Sequence, residues 1–62
     1  MIKIQKEQIG DTEVSIVTHD GFFYVNTYHV ELGYQGEPEQ FNTIEEAKQE
    51  FYGVVDLLEK ML

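Results

Sequence analysis

The chain has no cysteine and no arginine, a single proline, and only four lysines among its 62 residues. Each shortage removes a class of protein. Without cysteine, neither a disulfide nor a thiolate metal site can reinforce a small fold, and the composition accords with a reducing cytoplasm. No apolar run approaches the roughly 20 residues that cross a bilayer, and no charged-then-apolar leader opens the chain. A cytoplasmic protein with no membrane partner is therefore expected. Arginine is the usual reader of base edges, and lysine and arginine together neutralise phosphates. With none of the first and few of the second, direct nucleic-acid binding is not expected. Gly33 and Gly36 do not stand between a strand and a helix start, so no phosphate-cradling loop is present.

What the chain has in quantity is acid. Twelve aspartates and glutamates give a net charge of −8. From Lys6 to Lys48 no lysine or arginine intervenes, yet that span holds nine acids, beginning at Glu7 and ending at Glu46. Long-range attraction to a basic protein surface follows from such a balance. Keeping a small domain soluble is the plainer use of the same charge.

Thr43 to Leu62 reads as a helix. Thr43-Ile44-Glu45-Glu46 is a capping box, in which the Thr43 hydroxyl takes the Glu46 N–H and the Glu46 carboxylate reaches back to the Thr43 N–H. Ile44, Ala47, Phe51, Val54, Val55, Leu58, Met61 and Leu62 then recur at spacings of three and four, one apolar stripe on a 3.6-residue period. Glu45 and Glu46 suit the positive end of the helix dipole and Lys60 the negative end.

Upstream the period changes to two. Thr12 to His19 and Phe22 to Val30 are strands, joined by Asp20-Gly21, which supplies the two positive-φ positions of a type I′ turn. That turn pairs His19 with Phe22, Ile16 with Val25 and Val14 with Thr27. One face then holds Val14, Ile16, Thr18, Phe23 and Val25, aliphatic enough to meet the helix. The other holds Glu13, Ser15, Val17, His19, Phe22, Tyr24, Asn26 and Tyr28. Gly10-Asp11 reads as a turn after a first strand. Ile4 and Ile9 differ in parity, so that strand cannot be straight if both face inward. A three-residue loop with a bulge would pair Ile4 with Ile16 and Ile2 with Thr18 and return both to the core. A two-residue loop would turn both outward; the bulge is expected. Residues 31–40 are a connection, and an extended piece around Phe41 is expected to add a fourth strand at the edge. The whole is one α+β domain over residues 1–62: a three- or four-stranded antiparallel meander packed on one C-terminal helix. At this size stability is modest, roughly 3–9 kcal/mol.

Chemistry finds little foothold. His29 and Glu31 would project to one side of a strand, but zinc needs at least three protein ligands; a metal or small-ligand site near His29 stands only as an alternative. No cofactor is expected. Nucleophilic catalysis needs a base beside the nucleophile, and Ser15 has no histidine across from it. His19 and Asp20 are consecutive, so their side chains are expected to diverge. A non-enzyme is the expectation.

Surfaces remain. The outward sheet face would expose Val17, Phe22, Tyr24 and Tyr28 beside Glu13, and aromatic residues are enriched at interface cores. Gly53 sits mid-helix off the apolar stripe, where it costs about 1 kcal/mol relative to alanine; with Tyr52 and Leu57 beside it, it would let a partner backbone approach.

Asp20-Gly21-Phe22 and the Thr43 to Ala47 helix entry resemble the N-terminal part of HicB-type antitoxins, although the Pro-Gly-Cys-like loop and DNA-binding tail of that family have no counterpart here. In size, acidity and lack of arginine the chain is also similar to small phage-encoded inhibitors, including acidic anti-CRISPR proteins that occupy nucleic-acid grooves. The functional expectation is a non-enzymatic interaction module that binds a basic, nucleic-acid-binding protein surface as an inhibitor or decoy. The alternative is a self-associating, homodimeric accessory domain.

Overall fold

Three strands and a helix account for most of the chain, and the computed structural model describes residues 1–62. The strands β1 (Ile2–Ile9), β2 (Thr12–His19) and β3 (Phe22–His29) form an antiparallel meander. Two short strands, β4 (Tyr34–Gln35) and β5 (Glu39–Phe41), follow, and α1 (Ile44–Met61) closes the chain. Both short strands pair antiparallel with the same edge of β3, so they are two halves of one interrupted fourth strand. Gly36, Glu37 and Pro38 lie opposite Asn26 and Thr27, one residue too many for a regular ladder. The chain bulges there, as a proline without an N–H requires.

The β2–β3 hairpin has the register expected from its turn: His19 faces Phe22, Ile16 faces Val25 and Val14 faces Thr27. Asp20 and Gly21 have φ values of 53° and 81°, the two left-handed positions of a type I′ turn. Along that hairpin the side chains alternate between a helix side and an outer side. Val14, Ile16 and Val25 are buried on the helix side with Ile9, Ala47 and Phe51, and Phe23, Phe41, Val54, Val55 and Leu58 pack around them. The helix lies over Ile16 and Val25, leaving Tyr24 and Tyr28 on the reverse.

The first strand differs from expectation in a way that its own parity explains. The Gly10-Asp11 loop has two residues, since Ile9 faces Thr12, and the bulge lies farther back, between Lys3 and Gln5. Gln5, not Ile4, faces Ile16, while Ile2 does face Thr18. The extra residue, Ile4, is what lets Ile9 and Ile2 share the helix side. Yet Ile2 and Ile4 remain 68% and 42% exposed. Helix α1 begins next to β5, which pairs with Phe23 to Val25. It ends with the Leu62 Cδ2 only 3.2 Å from where a Cβ on Gly10 would stand. A diagonal from one corner of the sheet to the opposite one leaves the Ile2 corner bare.

The helix start also departs from the full capping box. Thr43 is extended (φ −129°, ψ 156°), and the Glu46 N–H donates to its Oγ1 at 3.3 Å. The Glu46 carboxylate does not turn back to the Thr43 N–H; it accepts the Thr43 hydroxyl at 3.1 Å. One reciprocal bond has been exchanged for a side-chain one. Ala47 and Phe51 are buried and Ile44, Val54, Val55 and Leu58 half-buried, but Met61 and Leu62 are exposed because the stripe outruns the sheet.

Candidate functional site

The outer face of the sheet is concave. Val17 and Ser15, in the middle of β2, are each only 5% exposed although no helix covers them. Val17 does not stand exposed with the aromatics as expected; Lys3 and Tyr24 flank it in register. Met1 and Lys3 rise along β1, and Gln35 and Pro38 rise along the interrupted edge, where the bulge throws the chain outward. Between these banks lie two adjoining cavities of about 280 and 310 Å3, which share Met1, Val17, Asn26 and Gln35. His19 and Tyr24 close one end of the trough; Glu13 and Tyr28 close the other. Phe22 and Tyr28 are exposed and Tyr24 half-buried. The structure thus brings Glu13, Val17, Tyr24 and Tyr28 together around one trough, with Phe22 outside it. Sequence reasoning missed the trough itself, for which Pro38 and an asparagine inside a strand were the available signals.

Asn26 stands at the centre. Its Oδ1 is buried and has no hydrogen-bond partner, which costs roughly 1–3 kcal/mol. Asparagine is also a poor strand former.

Charge divides between the two sides, and not as expected. A tyrosine-bearing face that is also the acidic face does not exist in this molecule. The outer face carries Lys3, Lys6 and Glu13, since Lys3 faces Val17 and Lys6 faces Ser15. Asp20 beside His19 adds a second acid at its far end. Lys3 Nζ lies 2.8 Å from Glu13 Oε1. This hydrogen bond, with the positive fields of Lys3 and Lys6, holds the Glu13 carboxyl below its ordinary pKa against an opposing desolvation effect. The acids gather on the helix side instead. Glu45, Glu46, Glu50, Asp56 and Glu59 lie on α1, and Glu7 and Glu39 point the same way by register, opposite Val14 and Val25. Against these stand Lys48 and Lys60, the latter 3.1 Å from Asp56.

That acidic side has apolar anchors of its own. Tyr52 and Leu57 are 55% and 59% exposed. Gly53 between them has no atom within 4 Å of where its Cβ would be, so packing within the chain does not require a glycine there. Tyr52 also accepts a hydrogen bond from Gln5 Nε2 at 3.3 Å, which holds its ring toward the β1 corner.

The histidines occupy opposite ends of the hairpin. His29 Nδ1 and Thr12 Oγ1 are 3.1 Å apart, and the His29 ring stacks on Tyr34 with centroids 5.8 Å apart. Glu31 falls beyond the end of β3, in the turn that follows, so the pairing of His29 with Glu31 along one strand is corrected. No group of three or more potential metal-ligating His, Cys, Asp or Glu side chains converges anywhere. His19 and Asp20 do not diverge: His19 Nε2 is 3.3 Å from Asp20 Oδ2, because the left-handed φ of Asp20 turns its carboxylate back. No helix is long and apolar enough to cross a membrane. In comparisons with known proteins, no family model, no curated protein and no solved structure matched this chain.

Proposed function

We propose that this chain is a non-enzymatic, cytoplasmic protein-interaction domain whose helix side docks on a basic partner surface, in the manner of an inhibitor that covers a nucleic-acid-binding site. The observation that carries the reading is the Tyr52-Gly53-Leu57 strip: two exposed apolar side chains flank a glycine the fold does not need, on a helix whose five acids outnumber its two lysines, Lys48 and Lys60. Interface hot spots are buried apolar anchors within a polar rim, and the rim charge here would speed encounter with a cationic surface. Gly53 would let the partner backbone come close to the helix. The sheet aromatics Phe22, Tyr24 and Tyr28 lie on the opposite side and take no part in this contact.

Affinity capture from source lysate tests the proposal. The wild-type chain should retain a basic protein at low salt and release it at high salt. Glu50→Lys with Asp56→Lys should abolish retention, while Lys6→Glu on the outer face should leave it intact. Retention that ignores both salt and the helix charges overturns the reading.

A further inference from the structure

The outer-face trough offers a second site, independent of the helix-side reading. We infer that it binds an extended, uncharged peptide segment through the primary amides of Asn26 and Gln35. From Glu13 to His19 the trough follows β2 for roughly 20 Å at about 3.3 Å per residue. That is the length of a short extended peptide, and the cavities of about 280 and 310 Å3 lie end to end along it. A flat sheet face of a second copy would span the trough and leave water in it, whereas an extended segment would fill it.

Hydrogen-bonding groups and charge select the occupant. Neither Asn26 nor Gln35 forms a side-chain hydrogen bond within the chain. With the Asn26 Oδ1 buried, its donor nitrogen is the end left for the trough, where both residues form part of the lining. A primary amide matches the donor–acceptor pattern of a peptide group, and the Ser15 hydroxyl on the floor adds a further polar contact. The local charge is already balanced by the Lys3–Glu13 pair, and Lys6 opposes any additional cation. A segment without positive charge therefore suits this face, and the donor–acceptor pattern of the two amides favours peptide groups within it. An unpaired amide at Asn26 costs stability, as expected of a residue that serves a ligand.

Acetyl-tetraalanine amide titrated into the 15N-labelled chain, followed by NMR, tests this. Saturable shifts are expected at Ser15 and Val17 and at the side-chain amides of Asn26 and Gln35. Gln35→Leu, on the exposed edge strand, should weaken binding at least tenfold without unfolding the chain. Asn26→Val should do the same while raising the melting temperature. Glu50→Lys should leave the titration unchanged. The inference is overturned by shifts that do not saturate, by binding unaltered in Gln35→Leu, or by a lower melting temperature in Asn26→Val, which would assign Asn26 to the fold. Tighter, salt-sensitive binding of a lysine- or glutamate-containing tetrapeptide would also overturn it, making the occupant an ion.

Discussion

Lys3 and Glu13 meet at 2.8 Å across the β1–β2 ladder, one residue before the strand bulges. Were Ile4 paired regularly instead of bulged, Lys3 would fall on the helix side and Glu13 would have no such partner. The pair lowers the pKa of Glu13 in the folded chain, the hydrogen bond being the largest cause. A lowered carboxyl contributes stability that is fully present above its ordinary value of 4.5 and is lost as pH falls through the folded value beneath it. With Lys3 about half exposed, the contribution should stay below about 1 kcal/mol. NMR titration of the Glu13 carboxyl should find its midpoint below 4.5, and Lys3→Met should return it toward that value.

Gly53→Ala separates fold from function on the helix. The site has open space around it, and alanine is favoured over glycine in a helix interior by about 1 kcal/mol. The melting temperature should rise, by roughly 4–8 °C for a domain of this size. If Gly53 serves partner approach, the same variant should bind the captured basic partner more weakly. Calorimetry and binding on one preparation check both. A more stable variant with unchanged affinity would show that the glycine does nothing for the interface.

Local chemistry made most of this fold legible. Asp20-Gly21 dictates a turn type, the turn dictates the β2–β3 register, and the register sorts Ile16 and Val25 from Tyr24 and Tyr28. The capping box and the apolar period located α1 to within a residue. Where only long-range packing decides, the sequence was mute. Nothing near Ile4 says that the extra residue sits there rather than in the Gly10-Asp11 loop, because both placements reconcile Ile9 with Ile2. Burial of Val17 and Ser15 depends on the side chains alongside them, Lys3 and Lys6 on β1 and Tyr24 and Asn26 on β3. The bulge at Ile4 decides which β1 residue stands beside Val17. The charge division is hidden in the sequence for a similar reason. A count of acids along the chain does not reveal that Glu7 faces the helix while Lys6 faces away.

Phe51 is the side chain on which the core depends most. It is the largest fully buried residue, and only nine of 62 residues are buried at all. Phe51→Ala should cost about 3–5 kcal/mol, against a total of roughly 3–9 kcal/mol expected for 62 residues. The variant should be largely unfolded or close to it at 25 °C. Near-UV dichroism and denaturant melts would show this directly, whereas Leu57→Ala, on the exposed strip, should melt close to wild type.

Ile4 makes the sharpest case for a residue that serves the edge instead of the core. Strand β1 is the one long unpaired edge of the sheet, a template for pairing with another chain. Its defences are Lys3, Lys6 and the bulge, since an extra residue kinks the strand and spoils a regular ladder. Deleting Ile4 would leave Lys3 opposite Val17 and Gln5 opposite Ile16, as they are now, with the kink removed. The core residues Ile9, Val14, Ile16 and Phe51 would be untouched, so the deletion should fold with little change in melting temperature. The straightened edge should then pair with a second copy, and sedimentation over a concentration series should show association that the wild-type chain lacks. Self-association of equal strength in both would mean that the bulge protects nothing, and that the two remaining lysines or another surface govern assembly.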